Sequence, residues 1–126
     1  MRTTLALIAV AGAVLGAGCG SSSSAGSGDP SPGVDPNDDR AVTLDCLQKQ
    51  QKLDARYLGP HAIQVGPGDS GPRIQFYLTA GQAEAAQFEG RGEGSEQIGK
   101  ALLYVNKAPD QQLKKVEQCL DHLQTG

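Results

Sequence analysis

The stretch RIQFYLTAGQAEAAQFE, residues 73–89, decides the fold, because its residue pattern changes from strand-like to helix-like partway along. Ile74, Phe76 and Leu78 alternate with other side chains in its first part. This alternation predicts a β-strand over residues 73–78, with the three apolar side chains on its buried face.

The second part of the stretch predicts a helix. Thr79 and Gln82 have the spacing of a capping box, in which the side chain of each accepts a hydrogen bond from the other's backbone N–H. We expect the helix to run through about Glu89 and to end at the glycine-rich run GRGEG, residues 90–94. The apolar run KALLYVN, residues 100–106, then predicts a central strand that is buried on both faces.

A strand, a helix and a strand in this order predict a parallel strand pair with a right-handed crossover. After them, Pro109 and Asp110 open a last helix with regularly spaced apolar residues on its inner face. These residues are Leu113, Val116, Cys119, Leu120 and Leu123.

One helix and two short strands are predicted before this unit. An aspartate at position 38 or 39 can cap a helix over about residues 40–52. Alternation predicts a strand over residues 53–57 and another around residues 63–65. The run GPGDSGP, residues 66–72, predicts a turn into the strand that follows.

The predicted element order over residues 40–126 is α-β-β-α-β-α, with one more strand before the 73–78 strand if residues 63–65 form a strand of their own. It indicates an α+β domain with a small three- to four-stranded mixed sheet and its helices on one face. The arrangement resembles a ferredoxin-like plait without its first strand. That resemblance concerns architecture and implies no activity.

Residues 1–18 have the parts of a secretory signal peptide. Arg2 supplies positive charge, and an uncharged run follows that ends in small residues. This run falls short of the roughly 20 strongly apolar residues that a membrane-spanning helix needs. We therefore predict that the protein is exported and that this segment is removed.

The end of the signal, Leu15-Gly16-Ala17-Gly18-Cys19, resembles the lipobox of bacterial lipoproteins. The resemblance implies that Cys19 is lipidated and becomes the mature N-terminus. The lipid would anchor the protein on the extracytoplasmic side of the cell membrane or in the periplasm. The pattern departs from the usual one at Gly16, where leucine is commonest, so cleavage nearby by an ordinary signal peptidase is the alternative. Residues 19–39, rich in Ser, Gly, Pro and Asp, predict a disordered tether.

Of the three cysteines in the chain, Cys46 and Cys119 remain if Cys19 carries lipid. Each lies on the apolar side of a predicted helix. Outside the cytoplasm such a pair in a small domain predicts a disulfide, with two separate buried thiols as the alternative. The surrounding segments DCLQKQ and VEQCL resemble small exported proteins of high-GC Gram-positive bacteria, which adds no known function.

Several motifs resemble catalytic or cofactor-binding sequences but fail in their context. GDSGP, residues 68–72, resembles the serine protease nucleophile segment without its partner pattern, and it predicts a turn. The G-x-G-x-x-G pattern over residues 66–71 would need a helix directly after it to bind a dinucleotide, but a strand is predicted there. Residues 94–100 match the phosphate-binding pattern G-x-x-x-x-G-K, but the Ser or Thr that this pattern requires next is absent. With only His61 and His122 as histidines, we predict no catalytic residue, cofactor or metal. The formal charge of −3 gives no reason to expect nucleic acid.

One sheet face is a candidate binding surface. Alternation sends Arg73, Gln75 and Tyr77 away from the helices, and Tyr104 of the neighbouring strand joins them. Because Tyr and Arg are enriched at interfaces, we expect a protein partner or a second copy of the chain there.

The predicted function is a non-catalytic binding module tethered to a membrane. A small cell-envelope enzyme and a purely structural lipoprotein are the alternatives.

Overall fold

A computed structural model describes residues 29–125, and the predictions for residues 1–18 and Cys19 lie outside this range. The strands are β1 (Ala55–Leu58), β2 (Ala62–Val65), β3 (Arg73–Phe76), β4 (Ser95–Ile98) and β5 (Ala101–Tyr104). The helices are α1 (Asp39–Asp45), which continues as a π-helix over Cys46–Gln50, then α2 (Ala80–Phe88) and α3 (Asp110–Leu120), with a final 3₁₀ turn over Asp121–Gln124.

The five strands form one antiparallel sheet in the order β1-β2-β3-β5-β4. The α+β class is confirmed, but the predicted three- to four-stranded mixed sheet is wrong, and the ferredoxin-like relation is not confirmed. The difference comes from β4, whose polar sequence SEQI gives no strand signal. Because β4 forms a hairpin with β5, β5 pairs with β3 in the antiparallel direction, and the predicted parallel pair is absent from the described sheet.

Gly99 makes the β4–β5 hairpin possible. Its φ is +57°, and a Cβ at this position would lie 2.4 Å from the carbonyl oxygen of Leu123. Any other residue would strain the backbone and collide with the C-terminal turn. The hairpin places β5 inside the sheet, where residues 101–103 are buried as predicted for a central strand.

Helices cover both faces of the sheet. On one face, α1, its π-helical extension and α3 cover the main core. On the opposite face α2 packs alone, with Ala83 and Ala86 against Leu102. The prediction that all helices share one face is therefore wrong. The largest fully buried side chains of the main core are those of Leu47, Ile63, Ile74, Leu103, Leu120, Val65 and Val116.

Cys46 and Cys119 are joined by a disulfide, as predicted, and their Cα atoms lie 5.6 Å apart. The bond connects the start of the π-helix to α3, and both cysteines are buried in the main core. The two residues are 73 positions apart. Closing a loop of that length contributes about 4 kcal/mol of stability in the chain-entropy account.

Part of the predicted tether contacts the domain. Asp38 is the N-cap of α1, and its carboxylate accepts two backbone hydrogen bonds from the first turn, at 3.1 and 3.3 Å. The backbone N–H of Ser31 donates to Oδ2 of Asp45 at 2.9 Å. The structure therefore differs over residues 31–39 from the disordered tether expected over residues 19–39.

The Asp45 carboxylate that holds this segment is buried, with 5% of its surface exposed. Burial disfavours its charge and is the largest single influence on its pKa. The Lys49 ammonium, whose Nζ lies 2.6 Å from Oδ1, and the polar groups of Ser31 together outweigh burial, so the pKa of Asp45 is lowered. The charged form of Asp45 therefore stabilises the fold.

We predict that Asp45→Asn lowers the free energy of unfolding by about 1 kcal/mol at neutral pH, because an amide cannot form the ion pair with Lys49. Since the folded pKa lies below the ordinary value of 3.8, this stabilisation is present above 3.8 and is lost as the pH falls through the folded pKa. Urea unfolding at neutral pH and near pH 2 measures it. The exposed Asp54→Asn is the control. An Asp45→Asn variant as stable as wild type at neutral pH would contradict the prediction.

Candidate functional site

Helix α2 crosses the sheet face that the sequence assigned to binding. Arg73 and Gln75 lie opposite the main core, paired in register with Tyr104 and Leu102 of β5. Tyr77 and Tyr104 pack against the cluster that α2 forms with Leu102. The sequence predicted that this face would be free of helices, and it is not. The four candidate residues are instead distributed around α2.

Both tyrosines take part in the internal packing of the domain. Oη of Tyr104 donates to the carbonyl oxygen of Arg91 at 2.8 Å, and the Arg73 guanidinium lies 4.5 Å from the centroid of the Tyr104 ring. Burial and then the neighbouring Tyr104 raise the pKa of Tyr77, against smaller opposing effects of Arg91 and Arg73. Tyr77 is therefore a neutral phenol at neutral pH.

Leu78 is 81% exposed, although strand alternation predicted it in the core. β3 ends at Phe76, and the backbone N–H of Leu78 donates to Oε1 of Gln82 at 3.2 Å. The N–H of Gln82 in turn donates to Oγ1 of Thr79 at 3.2 Å. The predicted capping box is thus confirmed at Thr79, while its second hydrogen bond is shifted to Leu78. The cap redirects the chain and takes Leu78 out of the strand.

A first cleft of about 540 Å³ lies between the N-terminus of α1 and the end of β3. Phe76, Tyr77 and Leu78 supply much of its apolar wall. Its other walls come from α1, from α2 and from the loops that precede β2 and β5. Its polar lining includes Asp39, Arg40, His61, Gln75, Gln82 and Lys100.

The charged groups of the first cleft pair with one another. Lys100 forms an ion pair with Asp39, and Nε of Arg40 lies 3.6 Å from Oδ1 of Asp38. Nε2 of His122 also lies 3.7 Å from the Asp39 carboxylate. Because aspartates balance the lysine and the arginine, the cleft suits a ligand with an apolar body and uncharged hydrogen-bonding groups.

A second cleft of about 420 Å³ lies over β1, β2 and β3. Arg56, Gln64 and Arg73 form a row across it, because Gln64 is the register partner of both arginines. The sequence indicated only Arg73, since Arg56 and Gln64 join the row through a strand register that no pattern predicts. Leu58, Gly68, Asp69 and Asn106 complete the lining.

The turn over residues 66–72 borders the second cleft and is held by side chains. The Arg56 guanidinium donates to two carbonyl oxygens of the turn, both at 2.7 Å, and the Asn106 amide donates to that of Gly71 at 2.8 Å. No other residue fits at Gly71, because a Cβ would lie 2.0 Å from the carbonyl oxygen of Val65. The prediction that the GDSGP run is a turn is confirmed.

The fold and its clefts define a small disulfide-linked α+β domain. No family model, curated protein or solved structure matches the chain. From residue 29 to residue 125, the helices are too short or too polar to cross a bilayer. Over the same range, no three metal-ligating side chains cluster.

We predict opposite outcomes for two apolar residues that the sequence assigned to one strand face. Phe76→Ala should lower the free energy of unfolding by about 3–5 kcal/mol because it leaves a cavity in the core. Leu78→Ala should change it by less than about 0.5 kcal/mol because the side chain is exposed. Urea unfolding measures both, and Phe88→Ala, 84% exposed in wild type, is the matched control. Equal losses at Phe76 and Leu78 would place Leu78 in the core.

Proposed function

We propose that the protein is an extracytoplasmic lipoprotein, anchored through lipid on Cys19, whose domain is a non-catalytic binding module. The signal pattern of residues 1–18 supports export, and the lipobox resemblance supports the anchor. The first cleft supports binding.

The observation that carries the proposal is the bond between Cys46 and Cys119. A disulfide in the core of a small domain is typical of proteins that fold outside the cytoplasm. Of the three cysteines in the chain, the bond leaves Cys19, at the end of the signal pattern, for the lipid.

The contact between residues 31–39 and α1 supports a domain held near its anchor. Ser31, which is bonded to Asp45, lies twelve positions after Cys19. Twelve residues span at most about 40 Å even when fully extended. An anchor at Cys19 would therefore keep the domain beside the bilayer surface.

The first cleft favours binding over catalysis. Its volume of about 540 Å³ falls in the roughly 300–1,000 Å³ range of small-molecule sites. Its cations pair with aspartates instead of converging on one point, as a general acid and base would. This geometry supports a binding module over a small envelope enzyme.

The first cleft also supports a narrower location for the binding site than the whole sheet face. Gln75 and Tyr77 line it, whereas Arg73 lines the second cleft. A flat protein partner or second copy would therefore contact α2 before it covered all four predicted residues. We place the main binding site at Gln75 and Tyr77.

We predict that protein extracted from membranes with detergent lacks residues 1–18 and carries hydrocarbon mass on Cys19. Intact mass spectrometry measures both features. Cys19→Ala should abolish the lipid mass and the membrane retention, because the thiol is the attachment atom. The Cys46→Ala/Cys119→Ala double variant is the control and should keep its lipid. A natural product that retains Met1 and three reduced thiols would overturn the proposal.

We predict that indole, an apolar probe with one N–H donor, binds the first cleft. In an NMR titration of the full chain in detergent, it should shift the amide signals of Gln75, Tyr77 and Gln82. Leu78→Asp should weaken binding about tenfold, because it places a charge on the apolar wall. Phe88→Asp, an equally exposed change outside the cleft and measured in the same detergent, should have no effect. Equal weakening by both variants would exclude the first cleft as the site.

A further inference from the structure

We propose that the second cleft binds a small oxyanion, either a carboxylate or a phosphate group, between Arg56 and Arg73. This inference does not depend on the proposed function, because it rests on a different cleft. It rests on the geometry of two guanidinium groups, on one unsatisfied donor and on the local charge.

The two arginines have a fixed spacing. Both are in register with Gln64 on the strand between them, so they lie two strand positions apart on the same sheet face. Adjacent strands are about 4.8 Å apart, which separates the two backbones by about 10 Å. Both arginine side chains line the second cleft on this face.

Arg73 is ready to bind because its orientation is fixed while its Nε donor is not used. Its guanidinium stacks 4.5 Å from the centroid of the Tyr104 ring, which fixes the orientation of the group. Its Nε is buried and has no hydrogen-bond partner, and no acid within residues 29–125 forms an ion pair with it. A buried donor without an acceptor is costly, and a planar guanidinium matches the two oxygens of a carboxylate or a phosphate.

Arg56 supplies a second positive charge. Its two hydrogen bonds to carbonyl oxygens of the 66–72 turn fix its position without neutralising it. Asp69 also lines the second cleft but forms no ion pair with either arginine among the described residues. Two cations and one anion leave this cleft locally positive, although the whole chain carries a formal charge of −3.

The ligand class follows from the lining. A volume of about 420 Å³ accommodates a small molecule rather than a folded partner. The arginines select an oxyanion, and Leu58, 45% exposed at the rim, offers contact to an apolar part of the ligand.

NMR titration of the full chain in detergent, with inorganic phosphate and separately with acetate, tests the proposal. The Nε–H signal of Arg73 should shift and saturate with at least one probe. Saturation with phosphate alone assigns the site to phosphate compounds, and saturation with acetate alone assigns it to carboxylates. No saturation with either probe would overturn the proposal.

Variants separate a specific site from general attraction of anions. Arg73→Gln should weaken binding about tenfold or more, because it removes a charge-assisted hydrogen bond. Lys115→Gln removes the same charge from the exposed side of α3 and should leave the affinity unchanged. Equal weakening by both variants would contradict a specific site.

Two further variants cover the case in which Arg73→Gln does not fold. Arg73→Lys keeps the charge but loses the planar pair of donors, so its affinity should fall between those of wild type and Arg73→Gln. Asp69→Asn, a change in an exposed turn, should strengthen binding several-fold because it removes the acid of the cleft. Unchanged affinity in Asp69→Asn would count against the charge argument.

Discussion

The disulfide between Cys46 and Cys119 is the constraint on which the rest of the structure depends. All five strands and α2 lie between these two cysteines, so one covalent ring of about 73 residues contains the whole sheet. The main core is small, and its two covering helices are the two that the bond connects. The bond therefore fixes the layer of helices that buries the sheet, in a domain whose size gives it little other stability.

The two sheet faces differ because their covering helices differ. The main-core face is closed by large aliphatic side chains from the π-helix and α3. On the other face α2 contributes mainly Ala83 and Ala86, so it approaches closely but covers only part of the strands. The remaining surface around α2 includes Gln75 and Tyr77 in one cleft and Arg73 in the other. Both candidate sites thus follow from one short helix with small contact residues.

Strong local patterns predicted much of this fold from the sequence. The inner face of α3, the cysteine pair and the burial of Ile74 and Phe76 all depend on regular spacing and are confirmed. β4 was missed because Ile98 is the only apolar residue of SEQI, so this edge strand shows no alternation of apolar and polar residues. The position of α2 could not be predicted, because the sequence does not distinguish the alanines on its inner side from alanines that lie at the surface. The row of Arg56, Gln64 and Arg73 depends on strand register, which forms only when the sheet assembles.

The positions of the disulfide cysteines also determine how the domain responds to mechanical force. Cys46 lies close to the N-terminal side of the domain and Cys119 close to its C-terminal side, within one covalent link. Tension applied between the two ends of the chain would pass from α1 through the sulfur atoms into α3. Only the short segments outside the ring could lengthen under such a load. The sheet and the second cleft, whose lining lies entirely inside the ring, would bear none of it and would keep their shape on a stretched molecule.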